Sequence, residues 1–190
     1  MPTMRFCSWR ISLLALSVIL ALRARELPAQ ARIISLAATA PGALSVTVTS
    51  GAVQTIAGVA DNAVNNFPAP VVIQTTWNVN PGQTNTVHLV AYFSVPAQAL
   101  VSGSTPIPSS RVLGRMTTGL PVAFTALTQN GVGSVGSAGG SLRLFTVNIN
   151  GSNKAAARTD NLDLQLDLSG LPPLLAGTYT GVLNLRAVTQ

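Results

Sequence analysis

Leu162, Leu164, Leu166 and Leu168 alternate strictly with Asp163, Gln165 and Asp167. A two-residue period puts every leucine on one face of an extended strand and every polar side chain on the other. A helix, with its period of about 3.6 residues, would scatter these leucines around its circumference. The same alternation runs through Leu44, Val46 and Val48, through Val71, Ile73, Thr75, Trp77 and Val79, and through Val87, Leu89, Ala91, Phe93 and Val95. It returns in Tyr179, Leu183 and Leu185, and more briefly in Val122, Phe124 and Ala126. Ser141–Ile149 reads as a strand with Phe145 and Val147 on one face and Leu142 and Leu144 on the other. Helical periodicity is missing almost everywhere. Val, Thr, Ile, Leu, Gly, Ser, Asn and Pro dominate, and no glutamate follows Glu26. That is a strand-and-turn composition.

Turn signals divide the runs. Asn80-Pro81-Gly82-Gln83 fits a type II turn, with Gly supplying the positive φ, and predicts a hairpin over residues 70–95. Asn150-Gly151 is a second hairpin signal. Pro96–Pro108 reads as an irregular crossing between sheets. About eight strands joined by short turns predict an antiparallel β-sandwich in one domain, residues 32–190. A domain of that length buries roughly 70% of its unfolded surface, enough for a core without covalent staples. An outer-membrane barrel is rejected, because Trp77, Tyr92, Phe93 and the other aromatics form no girdles at strand ends.

The segment before residue 32 reads as an address. Arg5 and Arg10 precede the apolar run Ile11–Leu22, which is shorter than the ~20 residues needed to span a bilayer. Arg23 and Arg25 close the run, and Ala29-Gln30-Ala31 fits a small-x-small cleavage site. The expectation is a signal peptide over residues 1–31, cut after Ala31, and a secreted or periplasmic product that does not enter the membrane.

The leader distorts the charge. The chain carries 11 Lys and Arg against 5 Asp and Glu, but Arg5, Arg10, Arg23, Arg25 and Glu26 belong to the leader. Seven cations and four carboxylates remain, the cations scattered singly along the sequence. No basic stripe is evident, so nucleic-acid binding is not expected. The single cysteine, Cys7, also falls in the leader, which leaves no disulfide, thiol or cysteine-based metal site after cleavage.

Motifs with chemical potential are few. Gly131-Val-Gly-Ser-Val-Gly136 matches a dinucleotide-loop spacing, but a strand follows where a helix would have to open. His88, the lone histidine, sits mid-strand in phase with Val90 and Tyr92, without a neighbouring nucleophile motif. Asp163 and Asp167 share a strand face about 13 Å apart, too far for one ion or one scissile bond. Asp160 and Asn161 are a weak Ca²⁺ candidate, and a solvated polar face explains these acids more simply. Trp77 is a core residue by phase. Tyr92 lies on the opposite face of its strand and is the candidate ligand contact, with the Asn-rich loop Asp61–Phe67 beside it in the argument for sugar binding. Asn150-Gly151-Ser152 is a glycosylation sequon that a turn explains. No catalytic residue, metal or cofactor is assigned.

Leu174-Leu-Ala-Gly-Thr-Tyr-Thr-Gly-Val-Leu-Asn-Leu185 resembles the closing strand of bacterial immunoglobulin-like and fimbrial-type sandwich modules. The resemblance implies an immunoglobulin-like sandwich with a structural, adhesive or ligand-binding role, although the cysteine pair of pilus subunits is missing. The expected function is therefore an exported, non-enzymatic protein of cell-surface structure, adhesion or assembly. A carbohydrate- or small-ligand-binding module is the alternative. The expected partners are copies of the chain or other cell-surface proteins, met through edge strands. Arg32–Ser50 is the segment that could either close its own sheet or add to a neighbour's.

Overall fold

A computed structural model describes residues 29–37 and 44–190. The expected leader up to residue 28 and the Pro41-Gly42 break lie outside the described residues. The strands are β1 Gln30–Ala37, β2 Leu44–Ser50, β3 Val53–Ile56, β4 Val64–Asn66, β5 Val71–Asn78, β6 Thr86–Tyr92 and β7 Leu100–Ser102. There follow β8 Thr105–Ile107, β9 Val112–Met116, β10 Thr125–Ala126, β11 Ser141–Asn148, β12 Ala155–Asp167 and β13 Thr178–Thr189. The only helical turns among the described residues are short 3-10 pieces at Pro96–Gln98 and Ser109–Arg111.

The chain is all-β, in two sheets. The seven-stranded sheet runs β11-β6-β13-β1-β3, with the β7–β8 hairpin attached to β13. The six-stranded sheet runs β10-β9-β12-β5-β2, with β4 paired to β12. Alternation decides which side chains turn inward. Leu162, Leu164 and Leu166 of β12 and Val71, Ile73 and Trp77 of β5 point into the core, as their phase predicts. They join Ile33, Leu89, Leu183 and Leu185 of the other sheet in one hydrophobic cluster. At Gly181 of β13 a Cβ would fall 1.8 Å from the Ala99 carbonyl oxygen, so glycine is required for the segment leading into β7 to dock there.

The topology departs from the expected one in several places. The sandwich is not wholly antiparallel: β1 lies parallel to β13, Gln30 opposite Thr178, while its other side pairs antiparallel with β3. Residues 70–95 are not a hairpin, because β5 belongs to the six-stranded sheet and β6 to the seven-stranded one. Alternation reports that a strand has one buried face; it does not say which layer that face belongs to. The Asn80 turn thus passes between layers. Its Gly82 has no positive φ, so the turn is not type II; the Asn80 carbonyl accepts from Gln83 N and Thr84 N. Asn150-Gly151 likewise joins β11 to β12 across the layers, with Asn150 Oδ1 accepting from Ser152 N and Asn153 N.

Pro96–Pro108 is not an irregular crossing: it builds the β7–β8 hairpin in the same sheet as β6, and the chain changes sheets only between β8 and β9, around the turn Ser109–Arg111. Of the short run around Phe124, only Thr125–Ala126 pairs as strand. The expected eight strands become thirteen, mostly by the addition of pieces two to four residues long. In β11 the four apolar residues do not split between faces. A register shift between Arg143 and Phe145 inserts Leu144 as an extra residue, and Leu142, Leu144 and Phe145 are all buried in the core while Val147 packs against it. A bulge resets the alternation by one residue.

Arg32–Ser50 closes its own fold. β1 is an interior strand, with Ala31 and Ile33 fully buried. The expected cut after Ala31 therefore falls inside β1, two residues past its start, and would leave Arg32–Ala37 to hold that place.

One polar island interrupts the core. Asp160, fully buried, pairs with Arg158 two residues earlier on the same face of β12. Arg158 Nε donates to Asp160 Oδ2 at 2.6 Å, Thr118 Oγ1 donates to Asp160 Oδ1 at 2.8 Å, and Arg158 Nη2 donates to the Thr118 carbonyl at 3.1 Å. The guanidinium stacks on Phe145 of the opposite sheet, 4.3 Å from the ring centroid. Asp160 thus belongs neither to a solvated face nor to a Ca²⁺ site, because its oxygens are already engaged. Removing one partner would strand a buried charge, which is far costlier than replacing both.

Two stability measurements follow, both by denaturant titration. Leu162→Ala should lose about 2–5 kcal/mol, whereas Thr159→Ala, exposed on the opposite face of β12, should stay within about 0.5 kcal/mol of the parent. Arg158→Ala should cost about 3–5 kcal/mol, and the double replacement Arg158→Met, Asp160→Leu should recover most of that loss.

Candidate functional site

The outward residues of the seven-stranded sheet gather features that lie far apart in sequence. On β6 the outward phase is Thr86, His88, Val90 and Tyr92. Val90 stands opposite Arg143 of β11 on one side and Arg186 of β13 on the other. With neighbouring strands about 4.8 Å apart, the two arginine Cα atoms are about 10 Å apart across the sheet. Tyr92 lies two residues along β6, about 7 Å from that row. It is half-buried, between Ser141 and Asn184 in register. Asn184 Nδ2 donates to the Tyr92 carbonyl and to Ser94 Oγ, both at 3.3 Å, which fixes the backbone beneath the ring.

A third cation shares the face. Arg32 of β1 is exposed and stands opposite Thr180 of β13 and Thr55 of β3. It lies six residues along β13 from Arg186, about 20 Å away. Between them, Val53, Ile34 and Val182 form an apolar row across β3, β1 and β13, with Val53 53% and Val182 46% exposed. Val90 itself is fully buried.

Among the described residues, the side-chain carboxylates all lie elsewhere and all are occupied. Asp61 Oδ1 accepts from Leu174 N, and Asp167 Oδ1 accepts from Ser169 N. Asp163 pairs with Arg115 on the outer face of the six-stranded sheet. Asp160 is buried with Arg158. Among the described residues, the arginines that make ion pairs are Arg115 and Arg158, and each also stacks on an aromatic ring, Phe124 and Phe145 respectively. Among the described residues, Arg32, Arg143 and Arg186 have no ion-pair partner.

A cleft of about 560 Å³ opens beside Arg143, lined by Leu120, Pro121, Gln129, Phe145 and Thr146. A second, of about 380 Å³, lies beside Arg186, with Val188, Ser134, Val135 and Asn80 in its wall. The loop carrying Gly131 and Gly136 belongs to this region. It closes on itself through hydrogen bonds between Val132 and Val135, with Gly133 and Gly136 at positive φ. It is a strand-to-strand loop with no helix behind it.

His88 is buried beneath this face. Its Nε2 is hydrogen-bonded to Thr86 Oγ1 at 2.9 Å and its Nδ1 to Thr146 Oγ1 at 2.8 Å. Burial, and secondarily the Arg143 guanidinium, push its pKa below the ordinary value of 6.5. A neutral imidazole between two hydroxyls is a structural tie, since both ring nitrogens are already used.

Of the residues singled out in the sequence, Tyr92 reaches this face. Trp77 and Phe67 do not: both are core residues, and Trp77 Nε1 donates to the Asn153 carbonyl at 2.8 Å. The Asn-rich loop is also spent on the fold. Asn65 is buried against Ala60 and Ala63, Asn62 Oδ1 accepts from Gly170 N, and Asn66 Oδ1 accepts from Gln165 Nε2. Ala29 and Ala31, the expected cleavage pair, lie in the core. Sequence reasoning missed the grouping of Arg32, Arg143 and Arg186. Each sits in the outward phase of its strand, but only the sheet order reveals that the three strands share a layer. No protein-family model matches the chain, and no curated protein matches it either.

The histidine tie has a pH signature. Because the folded-state pKa is lowered, the unfolded chain binds more protons between that value and about 6.5, so stability is complete above about pH 6.5 and falls as the pH drops through this window. Denaturant midpoints measured from pH 7.5 to 5 should show this decline, and His88→Gln should flatten it.

Proposed function

We propose that the protein is an exported, non-enzymatic β-sandwich of immunoglobulin-like type with an adhesive or surface-assembly role, and that the outer face of the seven-stranded sheet is its working surface. The observation that carries this reading is the segregation of charge: among the described residues, three arginines without an ion-pair partner share one face with Tyr92, and the side-chain carboxylates are engaged elsewhere. A charged face left without internal partners is suited to meeting something outside the molecule. Export is supported by the leader-like order of residues 1–31.

The immunoglobulin-like assignment draws on Tyr179. It is fully buried at the start of β13, and its hydroxyl donates to the Leu175 carbonyl at 3.3 Å, four residues upstream. This bond resembles the tyrosine corner of immunoglobulin-like sandwiches, here on β13, and supports the reading. The carbohydrate-binding alternative is favoured by one observation, the placement of Tyr92 one outward position along β6 from the Arg143–Val90–Arg186 row. Assembly through edge strands is the remaining form of the proposal, with β11 and β3 at the two margins of the seven-stranded sheet.

Fractionation of producing cells tests the proposal. The wild-type protein should be recovered outside the cytoplasm, begin at Arg32 by intact mass and stay with the cell surface. Arg143→Glu combined with Arg186→Glu should be exported equally but released to the medium. A wild-type protein confined to the cytoplasm would overturn the reading, as would a charge-reversed variant retained as firmly as the parent.

A further inference from the structure

We infer that the partner of this face is an acidic polysaccharide, a chain of carboxylate-bearing sugars, gripped by Arg143, Tyr92 and Arg186 and contacted a second time at Arg32. The inference rests on the adhesive reading above and names the chemistry it would recognise. Four observations carry it.

The first is the contrast among arginines. Arg115 and Arg158 have a carboxylate and an aromatic ring each, whereas Arg143 and Arg186 are exposed on either side of Val90 with neither. A guanidinium offers a planar fork of donors that matches a carboxylate in bidentate fashion. Two such forks about 10 Å apart can hold two carboxylates of one extended polymer. The second is Tyr92, diagonal to both arginines, a ring with an apolar body and a polar tip. Such a side chain covers the carbon face of a sugar ring while its hydroxyl remains free to bond.

The third is length. Arg32 lies about 20 Å along the strand direction from Arg186, so the face suits a linear ligand spanning several sugar units rather than a small anion. Thr180, exposed beside Arg32, and Asn184, towards the Tyr92 end, border the route between them. The fourth is flatness. The apolar row on this route, Val53, Ile34 and Val182, consists of short branched side chains standing to a similar height above the sheet, which fits the edge of a polymer lying across it. A bilayer would be better engaged by long apolar or aromatic side chains projecting from the surface. Nucleic acid would be better held by stacked aromatic platforms along a denser cationic track, and this face has one tyrosine.

The test uses the purified full-length mature protein and polygalacturonate, with dextran as the neutral control. Wild type should bind polygalacturonate and not dextran, with affinity falling as salt rises. Arg143→Gln with Arg186→Gln should weaken binding at least tenfold and flatten the salt dependence. Tyr92→Ala should weaken binding severalfold and leave the salt slope unchanged, a readout that separates sugar stacking from charge. Arg32→Gln should reduce affinity for long polygalacturonate and leave a trisaccharide fragment unaffected. Unchanged thermal melting of each variant would confirm that the fold is intact.

Equal binding to single-stranded DNA or to vesicles of anionic phospholipid, with Tyr92→Ala without effect, would overturn the inference in favour of a general polyanion surface. Absence of polygalacturonate binding would also overturn it. If the charge-reversed variant is nevertheless released from cells, the adhesive reading survives with a different partner. If the protein is never exported, that reading fails by itself, whatever is bound in solution.

Discussion

The fold depends on burying the leucine-lined face of one strand between two layers. β12 is paired with β9 on one side and with β5 and then β4 on the other, and its inward leucines meet the inner face of the opposite sheet. With Cys7 the sole cysteine, no disulfide within the chain can share that work. At about 25 cal/mol per Å² of apolar surface removed from water, the core must overcome the ordering of the whole chain by packing alone. This explains why even the irregular features serve density. The β11 bulge turns a fourth apolar residue inward, and Gly181 lets a neighbouring segment approach the sheet to contact distance.

The same strand shows how a polar pair can be tolerated in such a core. Arg158 and Asp160 lie on the inward face of β12, before its leucines begin. Asp160 has no access to solvent, while the Arg158 side chain remains 25% exposed. The cation lies over Phe145 and keeps one side towards water; the anion receives a guanidinium and a hydroxyl. Each group is satisfied only because the other is present. The island therefore acts on the alignment of the two sheets more than on total stability, since it joins β12, the Thr118 loop and a ring from the facing layer.

Much of this was legible in the sequence, and what was not has a physical cause. Strand existence and the inward phase could be read wherever alternation was unbroken, as in β5 and β12. The buried Trp77 followed from phase alone. Phase is a property of one strand, however, while pairing is a property of the whole chain. The turns at Asn80 and Asn150 look local but link different layers, and β1 and β13 meet from opposite ends of the domain. The β11 bulge defeated simple alternation because a single inserted residue inverts all later assignments. Tyr92 was accessible to reasoning because its own strand displayed its phase. The arginine grouping was not, because Arg32, Arg143 and Arg186 come together only through the order β11-β6-β13-β1.

The parallel pairing of β1 with β13 also governs when the molecule can become native. Gln30 finds its partner only at Thr178, so β1 cannot settle between its neighbours until β13 has been made. Contacts so distant in sequence are slow to form, because a long loop must close before they contribute any stability. During synthesis β1 therefore has β3 to pair with but keeps its other edge open until β13 is made. For a chain exported as proposed above, that delay would be useful: the architecture withholds the native state until β13 arrives.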